Sequence, residues 1–261
     1  MISMIYKSYP KINLFLSIGK KNKKNNLHKL NSVFLLVENS VYDEIKINLN
    51  EKEEDEISYF DSTNKTLIIE NCIFKKTISY LKEKEIIDKN LFFKIKIKKN
   101  IPLFSGLGSG SSNVACLFKF LLEIKQINYF QIKKHILNIG SDVLFFIKNY
   151  KAAFVYKYGN KVKKVKNPNL KIKLFFTNIE CSTKKVFEDY ETNQSMCKNS
   201  YLKQFLYFKI KRYWMLENDL KESVFNLYKD LSIKHETLQK KYDKKIFLTG
   251  SGGTLFLIED K

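Results

Sequence analysis

The chain has 261 residues, of which 44% are hydrophobic and 28% charged, enough apolar side chain for one or two folded domains. That balance excludes a disordered chain, a collagen-like repeat and a small disulfide-stapled scaffold. Lysine and arginine exceed aspartate and glutamate to leave a net charge of +20, yet Arg212 is the single arginine. Nucleic-acid surfaces favour the planar guanidinium, so lysine spread through the whole chain argues for a general attraction to anions, with no nucleic-acid partner expected.

Cys72, Cys116, Cys181 and Cys197 stand far apart without a CxxC pair, and His28, His135 and His235 form no HExxH, so neither a zinc site nor a disulfide framework is expected. Between Met1 and Gly19 the apolar residues are interrupted by Lys7, Pro10 and Lys11, and no later run approaches the length of a membrane span. A folded protein of the cytoplasm with no membrane partner is expected.

Ile12, Leu14, Leu16 and Ile18 alternate with Asn13, Phe15 and Ser17, which predicts a strand. A polar loop is expected from Lys20 to Asn31, then the apolar run Val33 to Val37, then a second alternating stretch through Ile45, Ile47 and Leu49. Together these predict an antiparallel sheet near the N-terminus. After an acidic turn at Glu51 to Glu56, the spacing of Ile73, Phe74, Thr77, Ile78 and Leu81 predicts a helix, and Phe93, Ile95 and Ile97 between lysines restore the strand period. A glycine-rich loop then feeds a helix with Val114, Leu117, Phe118, Leu121 and Leu122 on its apolar face. A further helix from Tyr129 to Ile139 is expected to end at Gly140 in the left-handed conformation. From Lys151 the chain reads as a hairpin, a strand at Ile172 to Phe176, lysine-rich helices from Lys198 to Tyr242 and a closing IFLTGSGGTLFLI. Strands and helices come in runs without regular alternation, which predicts an α+β fold, with a domain boundary near Tyr150.

The most informative stretch is IPLFSGLGSGSSN, Ile101 to Asn113. Gly106, Gly108 and Gly110 are suited to positive φ, which turns successive N–H groups inward as an anion-binding nest. The helix that follows adds its positive dipole end and the hydroxyls of Ser111 and Ser112. The loop is not a P-loop, because Ser111 stands where that motif needs lysine, and GLGSGS does not meet the GxGxxG of a Rossmann turn. The competing reading is a flexible glycine and serine connection.

Two other stretches place polar residues in apolar surroundings: YPKINLFL, with Lys11 and Asn13, and GSDVLFF, with Asp142. Taken singly, Lys11 reads equally well as a lysine snorkelling from a strand, and Asp142 as a helix cap.

In this order the three stretches resemble the GHMP kinase superfamily of small-molecule kinases. The match is closest to the branch acting on a cytidyl diphosphate sugar alcohol, whose PAKxNLxL and GADVP segments are similar to Pro10 to Leu16 and Gly140 to Val143. The resemblance implies a two-domain GHMP kinase fold: residues 1–150 as an ATP-binding domain similar to domain 2 of ribosomal protein S5, and residues 151–261 as a ferredoxin-like, substrate-binding domain. It implies ATP and Mg2+ as cofactors, a cytidyl diphosphate sugar alcohol as substrate, and Lys11 with Asp142 as the catalytic pair. Pro102, Gly106, Leu107, Gly108, Ser109, Gly110, Ser111 and Ser112 would bind ATP. Asn13, His28, Thr183 and Phe187 would line the substrate site, with His28 reading the cytosine edge and Phe187 stacking on the base. Gly250 to Gly253 is similar to the family's SGxG segment and is expected to return to the active-site cleft.

The chain departs from the family at Asn26 and Leu27, where Gly-Tyr usually precedes the histidine, and at Phe104, Ser105 and Ser109, which replace glycines. The residues themselves leave His28 open as a solvated side chain, Phe187 as a core residue and Gly250 to Gly253 as a plain hairpin turn. The alternatives for function are a GHMP kinase for another small alcohol, of homoserine or mevalonate type, and a basic RNA-binding module of S5-like fold.

Overall fold

Side chains of period two organise the first part of the chain. A computed structural model describes residues 2–23, 26–193 and 200–259. Cys197 and Lys198 lie outside the described residues. Strand β1 (Ser3–Ser8) pairs with β4 (Asp43–Leu49), β4 with β7 (Phe93–Lys98), β7 with β5 (Glu56–Phe60) and β5 with β6 (Thr66–Leu67); only β5 and β7 run parallel. Ile45, Ile47, Phe93, Ile95 and Ile97 are fully buried on one face of this sheet, and the lysines between them point away. Helix α2 (Ser109–Glu123) lies against β1 and β4, flanked by α1 (Ile73–Glu83) and α4 (Val143–Ile147), while α3 (Tyr129–Ile139) leads into α4. The Phe93 and Phe120 rings meet edge to face at 6.3 Å, locking α2 to the sheet.

A second sheet has the order β2 (Lys11–Asn22), β3 (Leu27–Leu36), β8 (Ala152–Lys157), β9 (Lys161–Lys164), and a third has β10 (Lys171–Phe176), β12 (Thr254–Glu259), β11 (Ile246–Leu248). Helices α5 (Thr183–Thr192), α6 (Tyr201–Lys209), α7 (Lys221–Leu227) and α8 (Lys229–Tyr242) accompany them. Leu16, Ile18, Val186, Tyr190, Val224, Leu231, Leu248 and Leu255 belong to one buried apolar cluster.

These sheets sort the chain into two compact units: 1–10, 38–101 and 109–149 in one, and 11–37, 102–108 and 150–261 in the other. Residue 150 is where the chain enters the second unit for the last time. Two earlier segments already belong there: 11–37, because β3 pairs with β8 from Leu30 opposite Lys157 to Leu35 opposite Ala152, and 102–108, where Gly106 lies against Thr249 and Gly252.

Two expectations are corrected and one strand is added. The stretch Lys20 to Asn31 is mostly strand, since hairpin pairing of Lys21 with His28 and Asn22 with Leu27 outweighs the weak strand preference of lysine and asparagine. The segment Ser3–Ser8, which precedes the strand expected from Ile12, pairs with the edge of β4 and is a strand as well. Gly140 ends α3 with φ 171°, extended rather than left-handed; a side chain there would lie 3.2 Å from Val143 Cγ2 and 3.4 Å from Ser111 Oγ, so close packing is what selects glycine. Burial pushes the Cys116 thiol up to about 12 and the Cys181 thiol up to about 11, so both serve as small core residues. Among the described residues no helix is long and apolar enough to cross a membrane.

Candidate active site

All residues from Lys11 to Ile18 are buried, so the alternation along β2 separates two covered faces rather than core from solvent. Lys11 is 3% exposed and does not snorkel. Two residues apart on a strand, Lys11 and Asn13 share a face. The Lys11 ammonium donates to Asn13 Oδ1 at 2.6 Å and to the Gly106 carbonyl at 3.1 Å, and lies 4.8 Å from the centre of the Phe34 ring. Its backbone N–H donates to the Leu107 carbonyl at 3.0 Å. Asn13 is held in turn: its amide donates to Ser32 Oγ at 2.9 Å and its backbone N–H to Thr249 Oγ1 at 3.0 Å. Burying an ammonium is costly unless its donors are satisfied, and one acceptor comes from β2 itself while the other, the Gly106 carbonyl, comes from the loop expected to bind phosphate.

Two glycine turns of the second unit meet main chain to main chain. A Cβ on Gly106, whose φ is +73°, would fall 2.5 Å from the carbonyl oxygens of Thr249 and Gly252. One on Gly253 would fall 2.5 Å from the Phe104 carbonyl. Gly250 to Gly253 therefore does two things: it links β11 to β12 and it walls the Phe104 to Gly106 loop. Thr183, the first residue of α5, bonds through its hydroxyl to that of Ser251 at 2.8 Å, within the same turn. Gly108 has the expected positive φ of 71°, whereas Gly110 sits in the first turn of α2, which starts at Ser109. Phe104, where the family carries glycine, is held at φ 53° with its side chain 61% exposed. A left-handed conformation costs such a residue about 1–2 kcal/mol.

In the first unit, the hydroxyls at the start of α2 are largely committed within the chain. Ser112 Oγ donates to the Tyr9 carbonyl at 2.8 Å and accepts from Ser8 Oγ at 2.7 Å. Ser109 Oγ belongs to a buried cluster that no motif predicts. The Lys99 ammonium donates to Asp43 Oδ2, to Ser109 Oγ and to Asn113 Oδ1, the last at 3.3 Å. Asp43, fully buried, also accepts the backbone N–H groups of Asn100 and Ile101 at 2.8 and 2.9 Å and the Asn113 amide at 2.9 Å. Burial pushes the Lys99 ammonium below the ordinary lysine range, and the Asp43 carboxylate opposes that fall. Among so many lysines, only the fold singles out Lys99. The Leu107 side chain is fully buried, and Pro102 is half-buried ahead of the loop.

Asp142 stands at the N-cap position of α4 but makes no side-chain cap bond, so the capping role does not account for it. Ser141 Oγ donates to its Oδ1 at 3.3 Å. It belongs to the first unit and Lys11 to the second.

The candidate base-reading residues gather in the second unit. Hairpin register sets Lys21 opposite His28, and Phe187 and Glu191 share one face of α5 at i and i+4. The His28 and Phe187 rings lie 5.6 Å apart and tilted by 35°. His28 Nδ1 faces the Gly19 carbonyl at 3.0 Å, and Nε2 faces Glu191 Oε1 at 3.0 Å. Lys21 reaches the same carboxylate at 2.6 Å. Hydrogen bonds from Lys21 first, then His28, hold the Glu191 carboxyl below the usual carboxylate range. The His28 side chain is 7% exposed, against 30% for Glu191, so His28 is no freely solvated loop residue. Leu27, in place of the family aromatic, is 40% exposed beside it. Sequence reasoning missed Glu191; its position one helical turn after Phe187 is the one signal that could have found it.

The family described as GHMP kinases N terminal domain matches residues 72–148. A solved 4-(cytidine 5'-diphospho)-2C-methyl-D-erythritol kinase superposes with a TM-score of 0.71 at 20% identity, over 98% of this chain and 90% of that one. A mevalonate diphosphate decarboxylase from Legionella pneumophila superposes with a TM-score of 0.67 at 18% identity, over 100% and 93%. The fold is thus the α+β fold of the GHMP kinases. A 4-diphosphocytidyl-2-C-methyl-D-erythritol kinase of Ureaplasma parvum serovar 3 is 34% identical over 264 residues, spanning 99% of this chain and 96% of that protein. One from Campylobacter jejuni strain RM1221 is 28% identical over 262 residues, spanning 97% and 99%. The chain belongs to the 4-diphosphocytidyl-2-C-methyl-D-erythritol kinase family. It is a kinase, and the RNA-binding alternative is set aside.

Proposed function

We propose that the protein phosphorylates the 2-hydroxyl of 4-diphosphocytidyl-2-C-methyl-D-erythritol with ATP, giving the 2-phosphate and ADP, in the non-mevalonate route to isoprenoid precursors. Near full-length identity to kinases of that name supports the substrate. The observation that carries the chemistry is the buried Lys11, whose ammonium is bonded to the Gly106 carbonyl of the glycine loop.

Phosphoryl transfer asks a protein chiefly for positioning and for compensation of charge. The loop around Gly106, Leu107 and Gly108 and the first turn of α2, Ser109 to Ser112, bind the ATP phosphates through main-chain N–H groups, while Pro102 sets the entry to the loop. Ser109 and Ser112 act through the main chain, since their hydroxyls have partners already. Among the described residues no group of three or more His, Cys, Asp or Glu is gathered to hold a metal. Mg2+ would arrive with the nucleotide, since this ion keeps water and takes phosphate oxygens with few protein ligands. The ion would neutralise charge on the phosphates.

Asp142 accepts the proton of the attacking hydroxyl, and Lys11, oriented by Asn13, offsets negative charge on the transferring group. Phe187 stacks on the cytosine, His28 stands at its edge and Thr183 lines the sugar alcohol. Residues 1–150 hold ATP, and residues 151–261 bring Thr183 and Phe187 to the substrate side, where Asn13 and His28 join them; we place the protein in the cytoplasm. Asp142→Asn should lower kcat by about 10²- to 10⁴-fold with an unchanged melting curve. The check is ADP release measured with the cytidyl alcohol, mevalonate and homoserine. Preference for either of the latter two, or near-normal turnover by Asp142→Asn, would refute the assignment.

A further inference from the structure

We propose that Asp43 and Lys99 are positioning residues for ATP, a buried ion pair that fixes both stems of the phosphate loop before nucleotide arrives. The proposal rests on the reading of residues 101–112 as that loop.

Asp43 Oδ1 accepts the N–H groups of Asn100 and Ile101, the two residues before Pro102. Its Oδ2 and the Lys99 ammonium hold Ser109 Oγ and the Asn113 side chain, in the first turns of α2. The residues where the chain leaves the first unit and where it returns are thus tied to one carboxylate, and residues 102–108 span the interval.

Hydrogen-bond capacity separates positioning from binding. An ammonium has three N–H groups, and Asp43, Ser109 and Asn113 supply three acceptors. The carboxylate accepts from Lys99, Ser109, Asn113 and two main-chain N–H groups. The Asp43 and Lys99 side chains are 0% and 5% exposed. No donor or lone pair remains for a phosphate, so the pair acts on the nucleotide through the loop. Apolar residues of similar volume would fill the same space without the desolvation cost of two ions, so what the ions contribute is directional geometry.

Replacing one member strands the other charge, so the primary test replaces both: Asp43→Asn with Lys99→Met, its folding checked by a melting curve. In steady-state phosphorylation of the cytidyl alcohol, this variant should raise the KM for ATP by about tenfold or more while the KM for the alcohol stays within about twofold, since a small misplacement of bound groups is felt strongly. Unchanged KM values for both substrates, or equal rises in both, would overturn the proposal, the latter because a general structural role moves both alike. A paired variant that fails to fold hands the decision to hydrogen exchange on the wild type. There the Asn100 and Ile101 amides should be protected without nucleotide and change little when ATP is added; protection that appears only with ATP would overturn it. Wild-type protein that releases no ADP with any alcohol would instead refute the kinase reading of the loop, a separate failure.

Discussion

The ion pair at the root of α2 and the one at the tip of the β2–β3 hairpin use the same chemistry in different solvents. Asp43 and Lys99 are enclosed, each with its hydrogen-bond capacity filled, and they join segments more than fifty residues apart in sequence. Lys21, His28 and Glu191 meet where about a third of the lysine and glutamate side chains still faces water. An enclosed pair whose geometry is filled defines a backbone conformation, because any displacement exposes an unpaired charge to a poor solvent. A half-exposed pair can exchange its partners for water at small cost, which suits a surface that must receive a ligand. Under the proposed function, phosphate chemistry lies near the first and base recognition near the second.

Removing one side chain from each tests the contrast. Asp43→Ala should have the largest effect on stability, about 3–5 kcal/mol by urea unfolding, since it leaves Lys99 buried and unpaired. A loss under about 1 kcal/mol would mean that water enters the cluster and that the two pairs differ little. At the hairpin tip, Phe187→Ala should weaken binding of the cytidyl alcohol by about 1–3 kcal/mol, the worth of a stacked base. Its melting curve should change far less than that of Asp43→Ala; the reverse order would make Phe187 a core residue.

Glu191→Gln should have the smallest effect, at most about 1 kcal/mol on stability, shrinking further as salt is added. Its pH dependence follows from the depressed Glu191 carboxyl. A carboxyl that gives up its proton more readily when folded contributes stability above its unfolded pKa and loses it as pH falls through the folded one. The difference between wild type and Glu191→Gln should therefore persist at neutral pH and vanish on acidification below the usual carboxylate range. A difference that persists far below the usual carboxylate range would contradict the depressed carboxyl.

Of the fold, the strands with strict alternation, such as Phe93 to Ile97, and the helices with one apolar face, such as Ile73 to Leu81, are visible in the residues. Local period carries that information. The tip of the β2–β3 hairpin is hidden, because its lysines and asparagines are neutral to local rules and acquire strand geometry only from a partner. At the site, Gly106 and Gly108 announce their backbone conformation by being glycine, whereas Phe104 adopts positive φ against its type, held there by the turn at Gly253. Lys11 stands out only through its apolar neighbours. Asp43, Lys99 and Glu191 have no such context.

Order along the chain, residue type and period were enough to set the class of fold, the glycine-rich loop ahead of a helix and the likeness to a kinase branch, because each is written in neighbours a few residues apart. Which lysine is buried, which carboxylate ties the loop and which glycine turn walls it were settled by contacts between segments distant in sequence. Those contacts depend on desolvation and hydrogen-bond capacity, properties a side chain acquires only once the chain has enclosed it.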